Sequence, residues 1–218
     1  MRNALYGLKL GYGIKNEISS EPSEALDVRF LGPFHAVGRE ATRCLFNNEV
    51  ASEKGIYLWT IPLEEQERVW YVGQTRRSFG RRMAEHVQKH LSGEYPVWDP
   101  EALVRGEHRF VWPPQGQLDR WPATLPAFLA RHGELVPVLE RFFHLVRFYV
   151  APLPADRSLL DRVEGAVGRY LRDHEDAAVR DFVVPGLRVP ARIPGDTSAR
   201  FRLSSEMAIR GLPAELIG

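Results

Sequence analysis

The feature that most limits the fold is a pair of short runs, GIYLWTI (55–61) and RVWYVG (68–73), joined by the polar segment PLEEQE (62–67). Both runs are rich in β-branched and aromatic residues, which is typical of β-strands, and the short polar link favours antiparallel pairing. A turn centred near Glu64 places Tyr57 directly opposite Tyr71, with Cβ atoms about 4.5–5.5 Å apart. The sequence therefore predicts a β-hairpin with two phenol rings on one face, either in a site or as an aromatic pair that only packs.

A helix is predicted directly after the hairpin, over residues 78–91 (SFGRRMAEHVQKHL). Ser78 is a suitable N-cap, and Gly93 lies just beyond the last helical residue. At about 100° per residue, one side of this helix combines apolar and polar side chains, namely Phe79, Arg82, Met83, His86 and His90. The pattern directs a guanidinium and an imidazole toward the core, unless the arginine only extends from the edge of the apolar stripe.

A second helix is predicted over residues 158–174 (SLLDRVEGAVGRYLRDH), with Ser158 as its N-cap. Its apolar stripe consists of Leu160, Val163, Val167 and Leu171. Glu164 falls within that stripe, where a carboxylate loses hydration and needs a cation, hydrogen bonds or a metal ion. Glu164 is therefore a candidate site residue, with a buried salt bridge as the alternative.

The predicted core domain spans residues 51–184, because the hairpin, both helices and a further strand over 144–153 (HLVRFYVAPL) lie within it. Residues 94–137 contain many prolines and tryptophans and show weak periodicity. They are expected to form an insertion of loops and short elements before the last core strand.

The ends of the chain are expected to lie outside this core. Residues 1–50 are predicted to be an N-terminal extension that packs on the core or precedes it, with a strand over 28–34 and a short helix over 37–46. Residues 185–218 contain four prolines and no clear period, so a C-terminal tail with little regular structure is expected.

Composition limits the location, the partners and the kinds of cysteine site that are expected. No apolar run approaches the roughly 18 residues of a membrane helix, and the N-terminus has no apolar signal-peptide core, so no membrane partner and a cytoplasmic location are expected. The single cysteine, Cys44, excludes a disulfide framework and a cysteine-based zinc site within the chain. The net charge of +1 does not by itself indicate a nucleic-acid-binding protein.

A resemblance to a known family emerges at the hairpin and the helix after it. The segments GIY (55–57) and YVG (71–73), at hairpin spacing, resemble the two signature motifs of the GIY-YIG nucleases. In the family's first helix an arginine comes three residues after an aromatic residue, and a histidine or tyrosine follows four residues later. Phe79, Arg82 and His86 are similar to that pattern.

The resemblance extends to the later helix and covers residues 50–175. Glu164, within RVEGAVGRYL, resembles the metal-binding glutamate of the family. The implied fold is α/β (α+β), with a small, mainly antiparallel β-sheet flanked by helices.

The resemblance also implies a function, a metal-dependent endonuclease that hydrolyses DNA phosphodiester bonds. Glu164 is then expected to hold a single Mg²⁺, for which Mn²⁺ can substitute, with water in much of the remaining coordination shell. Arg82 is expected to bind a non-bridging phosphate oxygen as negative charge builds up. Tyr57 would deprotonate the attacking water with His86 as a relay, or His86 would itself be the base, and Tyr71 would position the water or the phosphate.

Additional cations near this set are expected to bind the substrate's phosphate backbone. Guanidinium groups suit phosphate because of their planar fork of donors. The expected substrate-binding residues are Arg76, Arg77, Arg81 and His90.

Three departures from the family pattern leave alternatives open. One extra residue before the helix lets Arg81 compete with Arg82 for the catalytic position, and the spacing from Phe79 and His86 favours Arg82. The segment 94–137 is longer than the family core needs, and no asparagine follows Asn48, although the family often has one after its glutamate helix. The alternatives are a catalytically inactive nucleic-acid-binding module of the same fold and a nuclease for RNA or structured junctions.

Overall fold

A computed structural model describes residues 25–36, 43–64, 66–113, 121–191 and 199–218. These residues form a mixed α/β structure around one curled, mostly antiparallel sheet of seven strands, with a separate two-stranded sheet. The strands are β1 (Leu26–His35), β2 (Gly55–Leu63), β3 (Gln66–Thr75), β4 (Val97–Trp98), β5 (Phe110–Trp112), β6 (Arg147–Pro152), β7 (Arg200–Ser205), β8 (Ile209–Arg210) and β9 (Glu215–Ile217). The helices are α1 (Phe79–Leu91), α2 (Pro100–Val104), α3 (Trp121–Ala130), α4 (His132–Leu145), α5 (Arg157–Arg172) and α6 (Ala177–Arg180).

The strand order in the large sheet is β8-β3-β2-β6-β1-β7-β9. The β1–β7 and β3–β8 pairs are parallel, and the other neighbouring pairs are antiparallel. The prediction of a mixed α/β fold with a mainly antiparallel sheet is thus confirmed, but the sheet is larger than the small one expected. The prediction of an irregular tail is wrong for residues 200–217, which supply three strands and both ends of the sheet.

The predicted hairpin is present as β2 and β3, but its register differs from the prediction. Tyr57 faces Gly73, and Tyr71 faces Trp59, because the strands turn later than Glu64. A bulge at Trp70 then shifts the pairing by one residue. Trp70 and Tyr71 consequently pack into the same core cluster, although they are consecutive in the strand. Tyr57 and Tyr71 are diagonal neighbours on one face, with ring centroids 6.0 Å apart.

Helices cover both faces of the sheet. On one face α1, α2 and α4 bury an aromatic core that includes Trp59 and Phe148. On the other face α5 buries the stripe predicted from its period of apolar residues, against strand residues such as Leu58. Because α1 and α5 lie on opposite faces, side chains from the two helices can meet only around the edge of the sheet.

Both long predicted helices are confirmed, with one change at a cap. Ser78 caps α1 as predicted, since its side chain accepts a hydrogen bond from the Arg81 amide at 3.3 Å. Helix α5 begins earlier than predicted, and its N-cap is Asp156, which accepts from the Leu159 amide at 2.7 Å, and not Ser158. The carboxylate of Asp156 also suits the positive end of the helix dipole.

The remaining expectations are met in part. The strand predicted over 28–34 is β1, whereas the helix predicted over 37–46 lies partly outside the described residues, and only 3₁₀ turns at Leu45–Asn47 and Glu49–Ser52 are seen nearby. The segment 94–137 holds more regular structure than expected, from β4 to the start of α4. Of the helices described here, none is long and apolar enough to cross a bilayer.

Candidate active site

The hydroxyl of Tyr57 is the centre of the site. It lies on β2 and is fully buried, and it accepts a hydrogen bond from Arg82 Nε at 3.2 Å. Its Oη is also 3.0 Å from His86 Nε2. Arg82 and His86 are one turn apart on α1, so the helix period presents both groups to the same phenol. The hydroxyl also hydrogen-bonds Tyr71, and in the tautomer that leaves Nε2 unprotonated the imidazole can accept the phenolic proton in a hydrogen bond.

Two glycines of the hairpin make room for this arrangement. A Cβ placed on Gly73 would lie 2.5 Å from both Cζ and Oη of Tyr57, so only glycine leaves space for the phenol in this position. Gly55 has φ of +148°, and a Cβ there would lie 2.1 Å from the Ala151 carbonyl oxygen. The glycines that open the first motif and close the second are therefore required by the packing of the hairpin.

Tyr71 connects the buried phenol to the surface. Its side chain is half-buried, whereas Tyr57 is not exposed at all. Burial raises the pKa of Tyr71, and the negative charge of Glu164 raises it further. Tyr71 is therefore the phenol of the pair that lies between the Arg82–His86 side of the site and the carboxylate.

Glu164 reaches the site around the edge of β3. The strand β8 pairs with β3 only at Glu67 and Arg68, so at the end of β3 that carries Gln74 the side away from β2 has no strand beside it among the described residues. Gln74 donates a hydrogen bond to Asp161 and hydrogen-bonds Glu164, two carboxylates three residues apart on α5. Both carboxylates are thus held next to the exposed end of the strand that carries Tyr71.

The electrostatics of this carboxylate are unusual for a glutamate. Burial raises the pKa of Glu164 to about 7, and the nearby Asp161 adds to the rise, while Gln74 and Arg82 oppose it. A carboxylate that is poorly stabilised as an anion is a favourable ligand for a cation. Asp161 is partly compensated by Arg157, whose Nε lies 3.5 Å from its Oδ2.

The pKa values of the central groups keep both of them neutral. Burial, and then the neighbouring phenol of Tyr71, raise the pKa of Tyr57 well above its usual value, and Arg82 opposes this shift. Burial, and then the positive charge of Arg82, lower the pKa of His86 to about 2. A neutral imidazole retains a lone pair, so His86 is able to accept a hydrogen bond from the phenol.

The predicted arginine cluster lines an open polar cleft. The cleft has a volume of about 590 Å³, and its walls include Gln74, Arg76, Arg77, Arg82 and Asp161. It therefore joins the Arg82 guanidinium on α1 to the carboxylate side of the site on α5.

The carboxylate of Glu85 forms ion pairs with three arginines of the predicted cluster. It forms two hydrogen bonds with Arg77, and its carboxylate lies 3.7 Å from Arg81 and 3.6 Å from Arg82. Arg81 is exposed and points away from the phenol, so the guanidinium that reaches Tyr57 belongs to Arg82.

His90 lies apart from the cleft. It is buried among aromatic rings that include Phe142 and Phe143, and its Nδ1 is 2.9 Å from the Pro96 carbonyl oxygen. Burial lowers its pKa to about 4, so the ring is neutral. This placement gives His90 a packing role and does not bring it to a backbone phosphate.

The residues missing from the prediction are Gln74, Asp161 and Glu85. Each had a weak sequence signal: Gln74 follows the second motif directly, Asp161 precedes Glu164 by one helical turn, and Glu85 lies among the arginines. None of these signals decides between a site residue and an exposed polar residue, because contact across the sheet edge depends on the tertiary fold.

The arrangement fits a divalent cation with few protein ligands. No group of three or more His, Cys, Asp and Glu side chains with metal-binding geometry occurs among the described residues. Glu164 and Asp161 supply two carboxylates beside a polar cleft that is open to water. Mg²⁺ is commonly bound through one or two carboxylates and several waters, so this donor set suits it.

We expect Glu164→Gln to stabilise the metal-free protein above pH 7. The pKa of Glu164 is raised from 4.5 to about 7. Between pH 4.5 and pH 7 its carboxyl group is therefore mostly protonated in the folded protein and mostly ionised in the unfolded chain. The free energy of unfolding therefore falls as pH rises through this window, and the loss is complete above it. The variant lacks this ionisation and should be more stable than wild type by about 2–3 kcal/mol at pH 8 and nearly equal at pH 4.5.

Urea unfolding at the two pH values, without divalent ions, measures this difference. Glu140→Gln is a matched control, because Glu140 is an exposed carboxylate on α4. Equal pH dependence in wild type and Glu164→Gln would show that the carboxylate is not held in an unfavourable environment.

Comparisons of the chain with protein-family models, curated proteins and solved structures found no match. The proposal of a function therefore depends on the geometry of the site and on the resemblance of its motifs.

Proposed function

We propose that the protein is a Mg²⁺-dependent endonuclease that hydrolyses DNA phosphodiester bonds, as its resemblance to the GIY-YIG nucleases implies. The observation that carries this proposal is the buried Tyr57 hydroxyl held between Arg82 Nε and His86 Nε2. A fully buried tyrosine, a guanidinium and a neutral imidazole in direct contact are an unusual set for a core that only packs.

The chain's own groups provide a route for the proton of the attacking water. Water would transfer its proton to Tyr57 as the phenolic proton moves to His86, so that no free phenolate has to form first. A tyrosine of ordinary pKa is only about 0.1% ionised at pH 7, a handicap of about 4 kcal/mol, and burial increases it here. A transfer through Tyr57 to His86 avoids a free phenolate, and it requires substrate binding to raise the pKa of His86, because an imidazole with a pKa of about 2 is a poor proton acceptor at pH 7.

Arg82 would serve two purposes in this reaction. Its Nε orients the Tyr57 hydroxyl, and the rest of the guanidinium faces the polar cleft where a phosphate would lie. Burial is the main cause of the low pKa of His86, and the charge of Arg82 lowers it further; a phosphate bound there would neutralise that charge and make the imidazole a better proton acceptor. Substrate binding and proton transfer would thus be linked.

Glu164 would hold the metal ion, with Asp161 beside it. A bound Mg²⁺ would stabilise the charge on the phosphoryl group and the leaving oxygen. Tyr71 lies between this carboxylate and Tyr57, where its hydroxyl would position the water or the phosphate.

The exposed arginines at the cleft would bind the DNA backbone. Arg76 and Arg81 are exposed, whereas Arg77 is engaged by Glu85 and would have to exchange this partner for a phosphate. Such contacts supply affinity and salt dependence with little sequence preference.

A cleavage panel tests the proposal. Supercoiled plasmid, linear duplex, single-stranded DNA and RNA are incubated with Mg²⁺, Mn²⁺ or EDTA, using wild type, Glu164→Gln and the control Glu140→Gln. We expect cleavage of DNA that requires the metal, and a reduction of at least about 10²-fold in Glu164→Gln only. In the same samples, Mg²⁺ should raise the unfolding temperature of wild type at pH 8 and not that of Glu164→Gln.

Each other outcome of the panel contradicts a specific part of the proposal. Metal-dependent cleavage of RNA alone would assign a different substrate. Binding of DNA without cleavage would indicate an inactive module of the same fold. Cleavage that survives Glu164→Gln would mean that the metal is held elsewhere.

A further inference from the structure

An aromatic pocket lies beside the catalytic residues. Its volume is about 280 Å³, and its walls include Trp59, Trp70, Tyr71, His86, Tyr95 and Trp98. Residues 184–187 cross its rim and are anchored there, since the Val184 amide donates to the Trp70 carbonyl at 2.8 Å. Well-packed interiors leave few voids larger than a water molecule. An open space of this size between aromatic rings is therefore a candidate ligand-binding pocket.

The pocket shares two of its walls with the catalytic cluster. Tyr71 and His86 line the pocket, and their ring centroids lie 6.0 Å and 5.9 Å from that of Tyr57. An occupant of the pocket would therefore lie about one ring's width from the hydroxyl to which we assign proton transfer. In a nucleic-acid substrate, the group attached closest to a phosphate and able to fill such a space is a base.

We propose that this pocket binds one nucleobase, unstacked from its neighbours, next to the phosphate that is cut. This inference rests on the proposed function and specifies its substrate as single-stranded or locally unpaired DNA. A base inside a regular duplex is stacked on both faces and cannot enter a pocket without leaving the helix.

The chemistry of the walls suits a base. Aromatic side chains stack on the flat face of any base, so such a pocket binds with little sequence preference. Tyr95 is half-buried at the pocket, and the Lys89 ammonium, which forms a salt bridge with Glu94, lies 5.1 Å from its ring centroid.

Two tryptophans add unused donors to the pocket wall. The indole N–H groups of Trp59 and Trp70 are buried and have no hydrogen-bond partner among the described residues. Bases carry carbonyl and ring-nitrogen acceptors at their edges, which are the kind of partner that these donors lack.

Binding to oligonucleotides in EDTA tests the pocket without requiring cleavage. The probes are a dT strand, an abasic strand of the same length and a strand with one 2-aminopurine among thymines. We expect the dT strand to bind about 10- to 100-fold more tightly than the abasic strand, and the 2-aminopurine fluorescence to be quenched on binding. Tyr95→Ala should weaken binding of the dT strand about 10-fold and leave the abasic strand unchanged.

Two further variants separate stacking from folding. Tyr95→Phe keeps the ring and should bind the dT strand as wild type does. Tyr170→Ala removes a half-buried tyrosine on α5 outside this pocket and should have no effect. Equal loss of affinity for both strands in Tyr95→Ala, or equal binding of both strands by wild type without quenching, would overturn the proposal.

The failure of this inference is distinguishable from failure of the proposed function. If the protein cuts nothing but its affinity for the dT strand depends on the ring at Tyr95, the pocket stands and the nuclease proposal falls. If it cuts fully paired duplex as fast as single strands, and Tyr95→Ala leaves that ratio unchanged, the nuclease stands and the base pocket is refuted.

Discussion

Replacement of Tyr57 by phenylalanine is expected to lower the rate of DNA cleavage by about 10³- to 10⁴-fold while leaving the protein folded. The phenol contacts both Arg82 and His86, so its removal would break the proposed path from the water to the imidazole. The ring remains and the core stays filled, so we expect a loss of stability of only about 1–3 kcal/mol, from the donors left unpaired. Single-turnover cleavage and urea unfolding measure the two effects.

Tyr149→Phe is the matched control for this experiment. Tyr149 is equally buried on the neighbouring strand β6, and its hydroxyl has no hydrogen-bond partner among the described residues. Removing that hydroxyl should leave cleavage unchanged and stability equal or slightly higher. If Tyr57→Phe retained a rate within tenfold of wild type, a base other than Tyr57 would have to be assigned.

Replacement of Gly73 by alanine is expected to reduce both activity and stability, although it adds only one methyl group. The new Cβ would overlap the Tyr57 ring at Cζ and Oη, so the phenol must move away from Arg82 and His86. A displacement of about 1 Å in a catalytic group is enough to lower the rate about 10²-fold. Overpacking of the core should lower the free energy of unfolding by about 1–3 kcal/mol.

Gly133→Ala controls for the effect of replacing a glycine. A Cβ at Gly133, on α4, meets no atom within 4 Å, so this variant should be neutral or slightly stabilised. In the Tyr57→Phe background, Gly73→Ala should cause little further loss of activity, because both changes act on the same hydroxyl. Full additivity of the two losses would show that Gly73 acts through something other than Tyr57.

The local elements could be predicted from the sequence, and their pairing could be predicted only in part. The hairpin, α1 and α5 follow from composition, capping residues and the period of apolar side chains, which are properties of neighbours in the chain. The bulge at Trp70 has no such local cause, because it places an indole against Trp98 and Phe142, far along the chain. The later turn and the bulge each shift the pairing by one residue, and together they turn directly opposed tyrosines into diagonal neighbours.

The same difference between local and tertiary features applies to the candidate site. Arg82 and His86 were expected to face one way because one helix carries both, and the structure brings them to one phenol. The approach of Glu164 around the edge of β3 depends on Gln74 and on which strand lies beside it. The strands β7 and β8 pair with β1 and β3, which lie more than a hundred residues earlier, so their place in the sheet could not be predicted from neighbouring residues.

The position of the last strands has a consequence for the synthesis of the chain. Ser205 ends β7 at one side of the sheet and Ile209 begins β8 at the other, so the two sides are within reach of a four-residue step, at most about 15 Å. The sheet is therefore a nearly closed ring whose final piece is translated last. At ordinary rates of translation, β8 leaves the ribosome roughly 10–30 s after β3, and until then the edges of β1 and β3 lack their partners. A nascent or truncated chain would thus contain every proposed catalytic residue and still expose two open strand edges to other proteins.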